Sequence, residues 1–551
     1  MEGYTSSSGK RLFARDSNTG PIDAGPRSRL DTFYWWAAVA VVAVHCMNLA
    51  RFAIDWPLHD DYTQILAIPG YLVQLPTWRE KLDLLFALAV EHRIVTLRLA
   101  GWLGSLVPGG LDFRLLIFVG NLLGAAAGAL AVLAFPRSMR ACAALLAALL
   151  LTSPASYGAQ YWATGALQHF GVSAYAMASL FALGRRWPPP LPFLVALLAA
   201  FTSANGLMTF PAAIVMLIMS QRRREALAWT IATLVLVAVY FIGYEVPAGR
   251  AGIGALVREP LQLAAFGLST LGALGGEWKA SIGLGLAVVA VWSALLVSGA
   301  WRRVPPWVVA VALFFAMSCA AIAVGRAALG SEASMLPRYR VYSALAILST
   351  AAALLSLMTE RASRVAGIAL VTAAFSGYAI ACLHGMHHIV ELAMVQAGAR
   401  DHFAAEARGF YGLFPTREFG DFTLDRAREI GRYDGARHAG TVIALVPASP
   451  GSGPAATRWH TYVEPGDRVI TVGGWLAGGH ASVDLWLDDG HRAFRAPMVG
   501  KRFPLGAIGE RRTAFHGTVR LEGLPAGHYR VGFAGSASPG VAWTAQRFDR
   551  R

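Results

Sequence analysis

Charge is scarce in this chain. Asp, Glu, Lys and Arg make up 15% of its 551 residues, against 55% hydrophobic residues. A soluble domain carries about 25% charged residues, so a water-exposed globular surface over the whole length is excluded. Cysteine is nearly absent: Cys46, Cys142, Cys319 and Cys382 all fall inside apolar runs with no shared spacing. That excludes a disulfide framework or a zinc cluster and leaves them as small packing residues. No apolar stretch precedes residue 33, so no cleavable signal peptide is expected and the first apolar run should stay in the bilayer. Phosphate-loop and dinucleotide fingerprints are missing, as is any solenoid repeat. The net charge of +15 matters in a membrane protein through where the cations lie, and no nucleic-acid partner is expected.

What the chain does have is long apolar runs, recurring from about Phe33 to about Leu383 and then stopping. The first, Thr32 to Phe52, can cross a hydrocarbon core of about 30 Å. Lys10, Arg11, Arg15, Arg27 and Arg29 precede it, so residues 1–31 read as a disordered cytoplasmic arm. The basic connections at Arg137 and Arg140, Arg185-Arg186, Arg222 to Arg224, Arg302-Arg303, and Arg361 with Arg364 should also be cytoplasmic. Placing those five inside gives about eleven spans in a domain over 32–383, with an outer C-terminal tail. The first outer loop, 55–112, is long, with a break expected at Pro69-Gly70. An amphipathic stretch from Trp78 through Glu91-His92-Arg93 to Arg98 should lie along the membrane surface.

The outer connections collect the unusual polar residues. Asp60-Asp61 follows the first span directly, and carboxylates beside a hydrocarbon-length segment need water, a cation or chemistry. The pair could deprotonate an acceptor hydroxyl or bind a divalent cation, Mg or Mn; the plainer alternative has Asp61 capping the next helix. Glu91-His92-Arg93, Arg326 and Arg338-Tyr339-Arg340 suit a phosphate, because a guanidinium forks onto two oxygens and keeps its charge. Interfacial snorkelling is the alternative for those arginines. Tyr161-Trp162 suit an aromatic belt at the membrane interface, and the role of His169 stays open. Asn205-Gly206 break an apolar run either for structure or for substrate contact. His384, His387 and His388 lack accompanying carboxylates or thiols and read as a polar helix end, while Glu277-Trp278-Lys279 is weak.

Residues 384–438 read as a helical linker. From 439 to 551, short alternating runs such as Arg468 to Val472 and Val483 to Leu487 lie between Gly, Pro and Asp turns, the pattern of a small antiparallel β-sandwich.

An acidic pair in the first outer loop, interfacial helices in that loop and about eleven spans resemble the GT-C superfamily of integral membrane glycosyltransferases. Glu91-His92-Arg93, the Ser203-Ala204-Asn205-Gly206 break and the loop from Gly325-Arg326 to Arg338-Tyr339 look more narrowly like a group of bacterial membrane proteins assigned to it. The likeness covers about 32–383. It implies a polyprenyl-phosphate-sugar donor, a glycan or lipid acceptor in the cell envelope, and a catalytic base at Asp60 or Asp61, with Asp60 preferred. It also implies phosphate binding by Arg93, Arg326 and Arg338, with Glu91, His92, His169, Asn205 and Tyr339 around the substrate. The expected location is the bacterial inner membrane, with the N-terminus cytoplasmic and the C-terminal domain periplasmic or extracellular. A flippase of lipid-linked sugars and a non-catalytic envelope assembly protein are the rival expectations.

Overall fold

The computed structural model describes residues 29–245, 258–408, 416–449, 459–477, 480, 482–499, 501–503, 512–535 and 540–550. The expected cytoplasmic arm therefore lies outside the described residues, apart from its last three. The rest forms a helical membrane domain followed by a β-rich region.

Among the described residues, seven helices are long and apolar enough to cross a membrane: Arg29–Phe52, Phe113–Ala134, Ala163–Gly184, Trp278–Val297, Pro306–Leu329, Pro337–Leu357 and Glu360–Glu406. An eighth is obtained if Arg137–Leu151 and Pro154–Gln160, bent by 47°, make one broken span. Pro190–Ala200 and Ala204–Met219 are apolar but shorter, separated by the tight turn that Asn205-Gly206 announce. A Cβ on Gly206 would lie 2.0 Å from the Ala199 carbonyl oxygen, so only glycine allows the chain to fold back there. Helices Phe113–Ala134 and Ala163–Gly184 approach through small residues: a Cβ on Gly120 would fall 2.4 Å from that of Ala166, the close approach that packs helices without a hydrophobic drive. This contact seats the π-helical turn Ala166–Phe170, which carries His169.

The first loop departs from expectation in two places. Pro69-Gly70 do not break it. They lie inside the helix Ala67–Gln74, which runs on directly from the π-helical turn Tyr62–Leu66, so the chain stays helical through Pro69. The amphipathic stretch is not one surface helix either. Thr77 and Glu80 cap each other reciprocally at the start of Trp78–Phe86, which buries no residue and leaves Trp78 76% exposed. A two-residue hairpin follows, β1 (Leu88–Ala89) with β2 (His92–Arg93), and turns the chain inward before helix Val95–Ser105. Among the cysteines, Cys142 and Cys319 are buried, but Cys46 is exposed on the outside of the first span and does no internal packing.

Residue 384, the expected start of the linker, lies inside a helix. The helix Glu360–Glu406 runs unbroken for 47 residues, because nothing between Cys382 and Glu391 stops it and its lower and upper halves pack on different partners. The upper half joins the first loop, Ile94–Ile117, Tyr161–Leu167 and Leu424–Tyr433 in a second apolar core that also takes in Trp475 and Ala514.

Among the described residues, the C-terminal region holds two five-stranded sheets. One runs β3 (Ile443–Ala444), β10 (Arg512–Arg520), β6 (Val469–Ala477) and β5 (Trp459–Pro465), with β9 (Lys501–Phe503) also on β10. The other runs β12 (Ala542–Arg550), β11 (Gly527–Gly535), β7 (Ser482–Asp488), β8 (Ala493–Val499) and β4 (Val446–Ala448). Ile470, Val472 and Phe515 from one meet Leu485, Val531 and Phe533 from the other in a common core. The pairing is antiparallel except that β3 runs parallel to β10, as a strand arriving from the linker helix can.

Candidate functional site

The two aspartates are neighbours with opposite fates. Asp61 is 1% exposed. Its Oδ1 accepts from the Thr164 N–H at 2.8 Å and the Thr164 hydroxyl at 2.6 Å, and its Oδ2 accepts from the Leu58 N–H at 3.0 Å. Burial pushes this carboxyl up to about 7 against the pull of those three donors. Asp61 therefore fastens the first loop to the start of the helix carrying His169. It does not cap the helix after it.

Asp60 is exposed, and its carboxylate makes no hydrogen bond or ion pair with a described residue. Its own carbonyl accepts from the Gln64 N–H at 2.8 Å and the Thr63 hydroxyl at 3.2 Å, which fixes the backbone beneath it. His59 before it has φ of 47°, so the turn rotates His59 and Asp60 outward while Asp61 goes in.

Trp162 links this turn to the arginines. It is buried, donates its Nε1–H to the Leu58 carbonyl at 2.9 Å, and meets the His59 ring edge-on at 5.8 Å. The expected place in an interfacial belt does not hold for it or for the buried Tyr161, because the loop closes over both. On Trp162 rests the Arg338 guanidinium, 5.7 Å from the ring and 5.2 Å from that of Tyr339. Trp162 thus touches both the turn that bears Asp60, through Leu58 and His59, and Arg338.

His169 lies behind Arg338. Its Nδ1 bonds the Tyr342 hydroxyl at 2.9 Å, and the Tyr339 and Tyr342 rings each meet it edge-on at 5.7 Å. The charges of Arg338, His92 and Arg326 all act on it. Asn205 lies beside Tyr342, is 6% exposed, and keeps a buried Nδ2 with no hydrogen-bond partner among the described residues. Glu91 pairs with Arg326 and stands 3.6 Å from His92, whose Nδ1 accepts from the Ala204 N–H at 3.2 Å. Glu91, His92, His169, Asn205, Arg326, Arg338 and Tyr339 are drawn together from separate chain segments, and Asp60 is related to them only through the packing of its turn on Trp162.

Arg93 stands apart from it. Its backbone N–H bonds the Tyr240 hydroxyl and three of its five guanidinium N–H groups go to the carbonyls of Tyr240, Phe86 and Ile242, so it braces the hairpin. Arg98 braces the same region from below, donating to the carbonyls of Leu84, Leu85 and Ala87. Burial, with Arg93 nearby, lowers it to about 10, which leaves it charged at neutral pH. Thr164 and Tyr342 went unnoticed in the sequence, although Tyr342 stands one helical turn beyond Arg338.

The acid pair fits a divalent cation poorly. Both oxygens of Asp61 are taken by N–H and O–H donors, and neither aspartate belongs to a group of three metal-ligating side chains among the described residues. Comparison of the chain with protein-family models, curated proteins and solved structures finds no match.

Proposed function

We propose that this is a GT-C-type membrane glycosyltransferase with about eleven spans. It would transfer a sugar from a polyprenyl-phosphate donor to a cell-envelope glycan or lipid on the outer face of the bacterial cytoplasmic membrane. One observation supports the reading: the turn that bears the exposed Asp60 packs through Leu58 and His59 on Trp162, the indole over which the Arg338 guanidinium also lies. Transfer from a phosphate-linked sugar asks for those two functions. Asp60 takes the proton of the acceptor hydroxyl as its oxygen attacks the anomeric carbon, and the bond from that carbon to the phosphate oxygen breaks with inversion. Arg338 stabilises the charge on the departing phosphate, with Arg326 and His169 behind it. The exposed apolar side of Trp78–Phe86 suits the bilayer surface, where a lipid-linked donor would arrive sideways. The β-sheets would stand outside the cell.

The test is transfer by purified protein in lipid, given a polyprenyl-phosphate sugar and envelope acceptors. Asp60→Asn should lose at least about a hundredfold in rate, with folding intact. A lipid-linked sugar flippase is favoured by one feature, the break between two short apolar helices at Ser203–Met208, a device of transporters. No transfer by the wild type, together with sugar-lipid translocation into vesicles, would select it.

A further inference from the structure

The described residues contain one group of three metal-ligating side chains, and Asp60 is not a member of it. Asp55 follows the first span, Asp112 caps the helix Phe113–Ala134, and His438 lies in the stretch leading into β3. Their ligand atoms all lie within 4.8 Å of one another.

Asp55 is 3% exposed, and only the Phe113 N–H, at 2.8 Å, donates to its carboxylate among the described residues. Asp112 likewise receives only the Leu115 N–H, at 3.0 Å. Each carboxylate is thus held by one oxygen and keeps another with no described donor. Two carboxylates this close repel unless a cation lies between or beside them. The neighbouring cations do not supply it. Arg114 and Arg437 act on Asp55 from a distance, but Arg114 donates to the Ala50 carbonyl and the Arg437 guanidinium packs on Gly109. Neither forms an ion pair with Asp55 or Asp112.

We propose that Asp55, Asp112 and His438 bind a divalent transition-metal cation of the Mn²⁺ or Zn²⁺ class. Two carboxylate oxygens and one imidazole nitrogen suit such an ion, whereas Mg²⁺ and Ca²⁺ prefer oxygen alone. The backbone N–H groups on each carboxylate supply the orienting outer contacts that metal sites use. The three ligands come from the end of the first span, the start of the second, and the segment between the linker helix Arg417–Glu429 and the sheets. The ion would therefore tie the β-rich region to the membrane domain at its first loop.

The proposal does not depend on glycosyl transfer. Its test is titration of the full chain, stripped with EDTA and held in lipid nanodiscs, with Mn²⁺ followed by the loss of the free-ion EPR signal. One saturable site per chain is expected, displaced by Zn²⁺ and unaltered in Asp60→Asn. Asp112→Asn keeps the helix cap and His438→Ala removes an exposed side chain, so both should fold while weakening the site at least about tenfold. Absence of saturable binding, or equal binding in those two variants, would overturn it. Should Arg437 close the carboxylate pair in place of a metal, the wild type would bind no Mn²⁺, and that also refutes the site.

Discussion

At the scale of single residues, adjacent carboxylates are told apart by what donates to them. Asp61 accepts three hydrogen bonds in a dry site, and Asp61→Asn would point an amide N–H₂ at one of those donors. The expected cost is about 1–3 kcal/mol, read as a lower melting temperature. Asp60→Asn should leave melting unchanged. The Asp61 carboxyl, at about 7 against an ordinary 3.8, is favoured in its protonated form by folding. Its contribution is whole below about pH 4 and disappears as pH rises through 7. Melting temperature should therefore decline over that interval in the wild type and less steeply in Asp61→Asn; parallel profiles would refute the assignment. Arg338→Lys should lower the rate of transfer although charge is kept, because an ammonium cannot lie flat on Trp162 and fork onto phosphate.

At the scale of elements, glycines decide where the polar residues meet. Gly206→Ala would drive a methyl into the Ala199 carbonyl, and the turn bearing Asn205 should lose its shape, with reduced yield of folded protein. Gly325 has open space around its Cβ position, so Gly325→Ala should be neutral or slightly stabilising in its helix. If both behave alike, the break between the short helices is not a required feature. The Asn205-Gly206 break was legible from sequence because an apolar run is interrupted by the two residues that tolerate interruption. The hairpin at Glu91-His92-Arg93 was not. Two residues per strand are too few to show alternation, and a charged run beside an amphipathic helix reads as more helix.

At the scale of the molecule, the 47-residue helix carries the β-rich region on its upper half. Tyr462 donates its hydroxyl to the Met394 carbonyl at 3.2 Å and packs so closely on Gly398 that a Cβ there would lie 2.4 Å from its oxygen. Asp401 accepts from Arg400 and from the Gly440 N–H at 2.9 Å, with His516 of β10 at 3.7 Å. Gly398→Leu should loosen this seat and speed proteolysis between 430 and 440 while leaving the helices intact by circular dichroism.

The residues by themselves determined the broad class, because hydrocarbon-length apolar runs have no other stable environment than a bilayer and alternating runs between turns bury one face as sheet. They also determined which polar side chains to watch, since an isolated charge next to an apolar run is costly wherever the chain goes. Which of them meet was decided only by folding. That Thr164 takes up Asp61, that Tyr240 and Ile242 engage Arg93, and that Asp55, Asp112 and His438 converge depend on neighbours tens to hundreds of residues away, and chain-distant contacts leave no local signal.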